Sequence, residues 1–215
     1  MRYRSLFLAF SLLVLPAVPV YAEWTGIGAY FTEGDEQWEV AGATYRADQR
    51  TYGLRIEEKT KLDLRVGASF GLFDTRLVDP AGALGTEKYD GEFLSLYLRW
   101  PQRLSEHLAL HSELDYRFYL GSSRDDDTIE LDWDTFALTL GLGIRLGRVE
   151  LRPFVEYRRV DGDISGAGPT RLIDGKEQQG SGLVLQLEVD RYAYLRVGLH
   201  SGTRDEVNFT LAREF

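Results

Sequence analysis

Three histidines, two of them followed by a serine, are the side chains in this sequence best suited to acid–base or nucleophilic work: His107, His111-Ser112 and His200-Ser201. A hydroxyl nucleophile needs an imidazole within hydrogen-bond reach, and a metal needs several donors converging on one point. Whether these residues can meet depends on the backbone that carries them. On a strand, His107 and His111 would share a face but stand about 13 Å apart, too far to hold one metal. Adjacent strand residues point to opposite faces, which separates His200 from Ser201 and places Ser112 of "HSE" (111–113) away from His111. His111 and Asp115 are a weaker acid–base pairing of the same kind. The run Asp125-Asp126-Asp127 offers oxygens to a divalent cation, although a short charge run normally marks a solvated loop. Gly141 and Gly143 lack the Lys-Ser/Thr that a phosphate loop requires, and are expected to make room for arginines. "NFT" (208–210) matches a glycosylation acceptor but falls inside an apolar alternation. No metal site or cofactor is expected.

The elements that must carry these residues have a period of two. Leu62, Leu64, Val66, Ala68, Phe70 and Leu72 alternate with polar or small residues, as do Leu94, Leu96, Leu98 and Trp100, and Phe136 through Leu146. Further copies run through 108–118, 151–160, 183–189, 195–199 and 207–215. This is the strand period and not the helical one. The segments are about twice as long as the 5–6 residues of an average globular strand, and match tilted membrane strands. Their connections alternate between tight turns (59–61, 101–106, 147–150, 190–193) and longer polar stretches (75–90, 121–130, 161–180). Aromatic residues stand near the ends of the apolar runs: Trp100 beside a tight turn, Tyr116, Phe118 and Tyr157 toward the long connections. Such girdles mark bilayer interfaces.

Both termini fit export. Arg2 and Arg4, an apolar run Leu6 to Leu15 and the small-residue site Val20-Tyr21-Ala22 have the layout of a cleaved signal peptide over residues 1–22. The remaining 23–215 reads as one domain. The full chain carries a net charge of −9 and no cysteine. That acidity argues against nucleic acid as a partner, and the missing thiols rule out a disulfide framework. At the other end, Val207, Phe209 and Leu211 alternate toward a terminal Phe215. An alternating last strand ending in Phe resembles the assembly signal of Gram-negative outer-membrane barrels. The chain from 23 to 215 is similar to the small monomeric members of that class, such as OmpX and the transmembrane domain of OmpA. The resemblance implies an all-β, antiparallel up-and-down transmembrane β-barrel. It also implies a monomer in the outer membrane, contact with lipid and lipopolysaccharide, and handling by the barrel-assembly machinery.

Residues 62–215 supply eight segments, and 24–33 reads as one more. In 38–58 the apolar phase changes between Tyr45 and Tyr52, which fits one long bulged strand or two strands joined by a turn. Even parity gives ten strands, with eight the alternative.

The polar face of these strands should line the lumen. It presents Asp63, Glu113, Asp115, Glu156, Glu188 and Glu214 against Arg65, Arg99, Arg117, Arg145, Arg152, Arg158 and Arg196. A selective pore tends to show rings of one sign. A balanced set, with the bulk of Tyr97, Tyr119 and Phe154, predicts ion pairs that plug the interior of a narrow barrel. The expected role is then structural or surface-interacting, without enzymatic activity. A narrow porin-like passive channel is the alternative. A lipid A-modifying enzyme is the weaker one, because lipid A deacylases have a residue between their histidine and serine and this chain has none.

Overall fold

In the computed structural model, which describes residues 24–78, 86–166, 168–202 and 204–215, the alternating segments become ten antiparallel strands. They are β1 (Trp24–Val40), β2 (Ala43–Lys59), β3 (Arg65–Val78), β4 (Thr86–Arg103), β5 (Leu108–Ser123), β6 (Glu130–Leu146), β7 (Val149–Ser165), β8 (Arg171–Glu188), β9 (Ala193–Ser201) and β10 (Arg204–Glu214). Each pairs with the next, and β10 pairs with β1 from Gly26↔Glu214 to Glu36↔Arg204, so the sheet closes. The expected signal peptide, 1–22, lies outside the described residues.

Closure matters because of what faces outward. Leu54, Phe70, Leu96, Leu114, Leu138, Leu140, Leu185, Leu195 and Phe209 stand exposed around the wall. An apolar band of this extent is not compatible with water. In hydrocarbon it is favourable, provided every backbone N–H and C=O is paired, and a closed barrel achieves that without an edge. The fold is a ten-stranded transmembrane barrel.

The two ends differ. Turns 60–64, 104–107, 147–148 and 189–192 lie at one end, called here the turn end. The other, the loop end, carries Ala41-Gly42, 124–129, 166 and 168–170. The first of these is a two-residue hairpin turn with φ of +51° and +84°, the positive pair that a type I′ turn requires.

Three expectations are corrected. β1 does not stop at residue 33 but continues to Val40, and the hairpin falls at Ala41-Gly42. The long polar connections are mostly strand: β3 reaches Val78, β4 starts at Thr86, and β6 to β8 extend through Glu130, Ser165 and Arg171. The remainder of the first connection, 79–85, lies outside the described residues. The third correction explains the other two. The phase change between Tyr45 and Tyr52 is neither a bulge nor a turn, since β2 pairs residue for residue with β1 and β3 through it. Tyr45 and Ala47 are buried inside the barrel, while Tyr52, Leu54 and Ile56 are exposed outside it. The apolar residues change sides because the barrel's surroundings change. Toward the turn end the wall meets hydrocarbon; toward the loop end it meets water.

The loop-end part is therefore built like a soluble protein. Its outer face carries Glu33, Arg50, Asp90, Asp134 and Asp161. Inside, Trp38, Phe73, Tyr89, Phe93, Tyr119, Leu131, Trp133, Val160, Ile164 and Ile173 form one buried cluster. Trp133 is its hub, stacked on Tyr119 with ring centroids 4.2 Å apart and edge-on to Phe73 and Trp38 at 4.7 and 5.2 Å. The strand count also changes along the axis. β9 and β10 are short, at 9 and 11 residues, and beyond them β1 pairs with β8 at Glu39↔Asp174 and Val40↔Ile173. The lower barrel has ten strands and the top closes on eight, narrowing over the aromatic cluster.

Candidate functional site

The lumen below that cluster holds the charged residues, in three levels. Nearest the turn end, Glu57 is the shared acceptor. Arg65 Nη1 reaches it at 2.8 Å, Arg99 Nη1 at 3.1 Å and Arg55 Nη2 at 3.5 Å. Arg65 also donates to Glu214 at 2.8 Å, and Arg99 Nε to Glu113 at 2.8 Å. The Arg55 guanidinium lies over the Tyr97 ring, 4.4 Å from its centroid. Tyr97 can cross the wall there because its strand neighbour is Gly67, where a Cβ would stand 2.2 Å from the ring. On the far side Arg152 Nε donates to Glu150 at 3.1 Å, and His111 Nε2 stands 3.3 Å from the same carboxylate. Arg145 meets Glu188 at 3.3 Å at the rim.

In the middle level, Arg117 pairs with Asp115 at 2.9 Å, and Ser95 donates to that carboxylate at 2.9 Å. Arg204 bridges Glu156 at 3.1 Å and Glu206 at 2.9 Å. The top level, among the described residues, is one pair, Arg158 with Glu36 at 3.2 Å, where Trp38 Nε1 also donates to Glu36. Guanidiniums suit such positions because the planar fork can serve two carboxylates at once.

Of the residues expected on the luminal face, Arg65, Arg99, Glu113, Asp115, Arg117, Arg145, Arg152, Glu156, Arg158, Glu188 and Arg196 lie in the lumen or at its rim. Asp63 does not. It sits in the β2–β3 turn with φ +59° and its side chain 67% exposed, held by Lys59 at 2.7 Å. β3 begins only at Arg65, because the chain needs 60–64 to reverse. Gly141 does make room for an arginine, with Arg152 Cγ at 3.0 Å from its would-be Cβ, while Gly143 makes room for His111.

Six luminal partners were not anticipated: Glu36, Arg55, Glu57, Glu150, Arg204 and Glu206. Glu36 falls in the stretch between the two expected N-terminal segments. Glu150 falls in the tight turn expected at 147–150, Arg204 and Glu206 between the alternating segments 195–199 and 207–215, and Arg55 and Glu57 in the segment where the apolar phase changes. Strand parity counted from Tyr52 would have placed Arg55 and Glu57 inside.

The histidines are dispersed. His107 lies in the exposed turn 104–107, and His111 beside Glu150. His200 faces the lumen, 2.9 Å from Arg204 Nη2 and 3.0 Å from Asn208 Nδ2, with Phe154 edge-on at 4.8 Å. Ser201 is exposed on the other face, as strand alternation requires. Val207, Phe209, Leu211 and Phe215 all stand exposed on the outer side. The Phe215 N–H donates to Thr25 C=O at 2.9 Å, tying the last residue to β1.

The ion pairs do not fill the lumen completely. A cavity of about 140 Å³ lies at mid-height, and a wider one of about 430 Å³ opens at the turn end.

No family model matches the sequence, and neither does any curated protein. Solved structures of similar fold include the outer membrane protease OmpT from Escherichia coli (10% identity, 93% of this chain and 99% of that chain, TM-score 0.48). Others are the translocator domain of the autotransporter NalP from Neisseria meningitidis (12%, 99% and 95%, 0.49) and Ail, the attachment invasion locus protein of Yersinia pestis (11%, 89% and 98%, 0.46). At these values the likeness bears on no activity or ligand.

Proposed function

We propose that the chain is an outer-membrane barrel whose lumen is closed, with a structural or surface-presenting role and not that of an open pore. The observation that carries this reading is the stacking of two different closures on one axis. The aromatic cluster around Trp133 fills the narrow loop end, and below it the Glu57–Arg99 and Glu156–Arg204 ion pairs join strands that are not neighbours, with Asp115–Arg117 lying along β5 between them. In this orientation the turn end faces the periplasm and the loop end the exterior, as in bacterial barrels with short periplasmic turns. The charged outer collar then lies at the level of lipopolysaccharide head groups. The outward Val207, Phe209, Leu211 and Phe215 form the edge offered to the assembly machinery, and the protein acts as a monomer. His200 and Ser201 on opposite faces speak against the hydroxyl–imidazole chemistry of a lipid A-modifying enzyme.

Planar-bilayer recording of the refolded protein tests this. A closed lumen gives no stable conductance steps. Reproducible single-channel steps whose ion preference shifts in Glu57→Gln would replace it with the passive-channel reading.

A further inference from the structure

The open mouth of the lumen at the turn end has a charge that the chain as a whole does not. Lys and Arg side chains lining it number seven, and Asp and Glu four, in a protein of net charge −9. Arg99, Arg152 and Arg196 line both this mouth and the cavity above it, so they form the partition between the two. Two of the three are matched by carboxylates: Arg99 by Glu57 and Glu113, Arg152 by Glu150. Arg196 is not. Its Nε and Nη2 both donate to one neutral oxygen, Gln186 Oε1, at 3.2 and 2.8 Å. Glu113 lies within electrostatic range, but its hydrogen bond is taken by Arg99.

Arg196 is nevertheless only 8% exposed. Arg99, Arg152 and Arg55 all add their positive charge to its surroundings. A buried cation with no counter-ion is unfavourable unless something else supplies the charge. The side chain is also pre-oriented. Gln186 is its direct cross-strand partner, and its guanidinium lies 4.9 Å from the Tyr194 ring centroid.

We infer that this mouth is a binding site for a small oxyanion of the phosphate class, held by Arg196 with Arg99 and Arg152 flanking it. A guanidinium fork matches two oxygens of such an anion, and several cations converging on one point favour a dianion over a monocarboxylate. The wide cavity of about 430 Å³ admits it from the turn end. The closed-lumen reading supplies only the one-sidedness of access; the site itself does not depend on it.

The test uses the refolded full chain in detergent micelles at low salt, titrated with inorganic phosphate and followed by calorimetry and phosphorus NMR line broadening. Saturable binding at one site is expected. Arg196→Gln should weaken it about tenfold or more, the usual effect of losing a charge-assisted bond. Gln186→Glu gives Arg196 a fixed carboxylate and should abolish phosphate binding while keeping the fold, which covers the case in which Arg196→Gln misfolds. Arg50→Gln, on the outer face, should change nothing. Absence of saturable binding, or equal binding by wild type and Gln186→Glu, overturns the site. Acetate binding as tightly as phosphate overturns the phosphate assignment. Conductance in a bilayer together with Arg196-dependent phosphate binding would remove the closed lumen and leave the site standing.

Discussion

Trp133 lies flat on Tyr119, its direct cross-strand neighbour, with the two ring planes inclined by only 4°. Tyr119 projects from β5 and Trp133 from β6, and both are sealed from solvent inside the barrel, above the ion pairs. Loss of a buried aromatic costs about 3–5 kcal/mol. Trp133→Ala should therefore lower the urea midpoint of the micelle-refolded protein by a corresponding amount. A change below about 1 kcal/mol, near the range of ordinary surface substitutions, would mean that the cluster does not hold the loop end together.

The lipid-facing wall makes a directional prediction at neighbouring residues. Leu140 is exposed in the apolar band, and Thr139 faces the lumen beside Glu156. An arginine on the lipid face near mid-membrane costs about 2–4 kcal/mol. Leu140→Arg should impair refolding into micelles more than Thr139→Arg, as read by the heat-modifiable shift on gels. Equal impairment would argue against a hydrocarbon environment for that face.

Two carboxylates of the lumen should behave unequally. Glu57 accepts from Arg65 and Arg99, has Arg55 3.5 Å away and is nearly inaccessible, whereas among the described residues Glu188 pairs with Arg145 alone, at an open rim. Removing one member of a buried ion-pair set costs about 3–5 kcal/mol, less where water can enter. Rim pairs contribute about 0–1 kcal/mol. Thermal unfolding should then show a large loss for Glu57→Gln and almost none for Glu188→Gln. The reverse order would show that hydration, and not pairing, governs the lumen.

The outer collar titrates. Asp132 stands opposite Asp163 on the water-facing part of the wall, beyond the apolar band. Partial burial, reinforced by the charges of Glu130 and Asp163, pushes its carboxyl from 3.8 up to about 6. The folded state thus holds this proton more tightly than the unfolded one. Its contribution makes the protein more stable as pH falls from about 7 through 6, and the gain is complete below about 4. Asp132→Asn should raise stability at pH 7 and flatten the slope of urea stability between pH 4 and 7. A slope identical to that of wild type would exclude this carboxylate as its source.

Much of the barrel is readable from the period-two pattern, because one face of each strand must suit lipid and the other must not. Ten strands, the outward positions of Leu140 and Phe209 and the inward positions of Arg99 and Glu113 all follow from counting by two. The same rule misleads where the outer solvent changes. In β2 the apolar residues Tyr45 and Ala47 belong to one parity and Tyr52, Leu54 and Ile56 to the other, although the strand is continuous. A pattern reader sees a break there and loses Arg55 and Glu57. Trp38, Phe73 and Trp133 were hidden for the same reason, since they lie on the parity that carries charge lower down. What pairs with what across the lumen has no sequence signal, because Glu57 and Arg99 come together only when the sheet closes.

The reversal of polarity along the axis has a consequence for how the molecule comes to rest in a bilayer. The aromatic cluster can condense only after the collar has emerged on the far side, for until then its outward Glu33, Arg50, Asp134 and Asp161 would sit in hydrocarbon. Once it has condensed, retreat would drag those same groups back through the bilayer, at about 2–4 kcal/mol for each cation near the midplane. The top of the barrel thereby acts as a ratchet: passage in one direction locks behind itself, and the protein is anchored by its own folded head as well as by its lipid contacts.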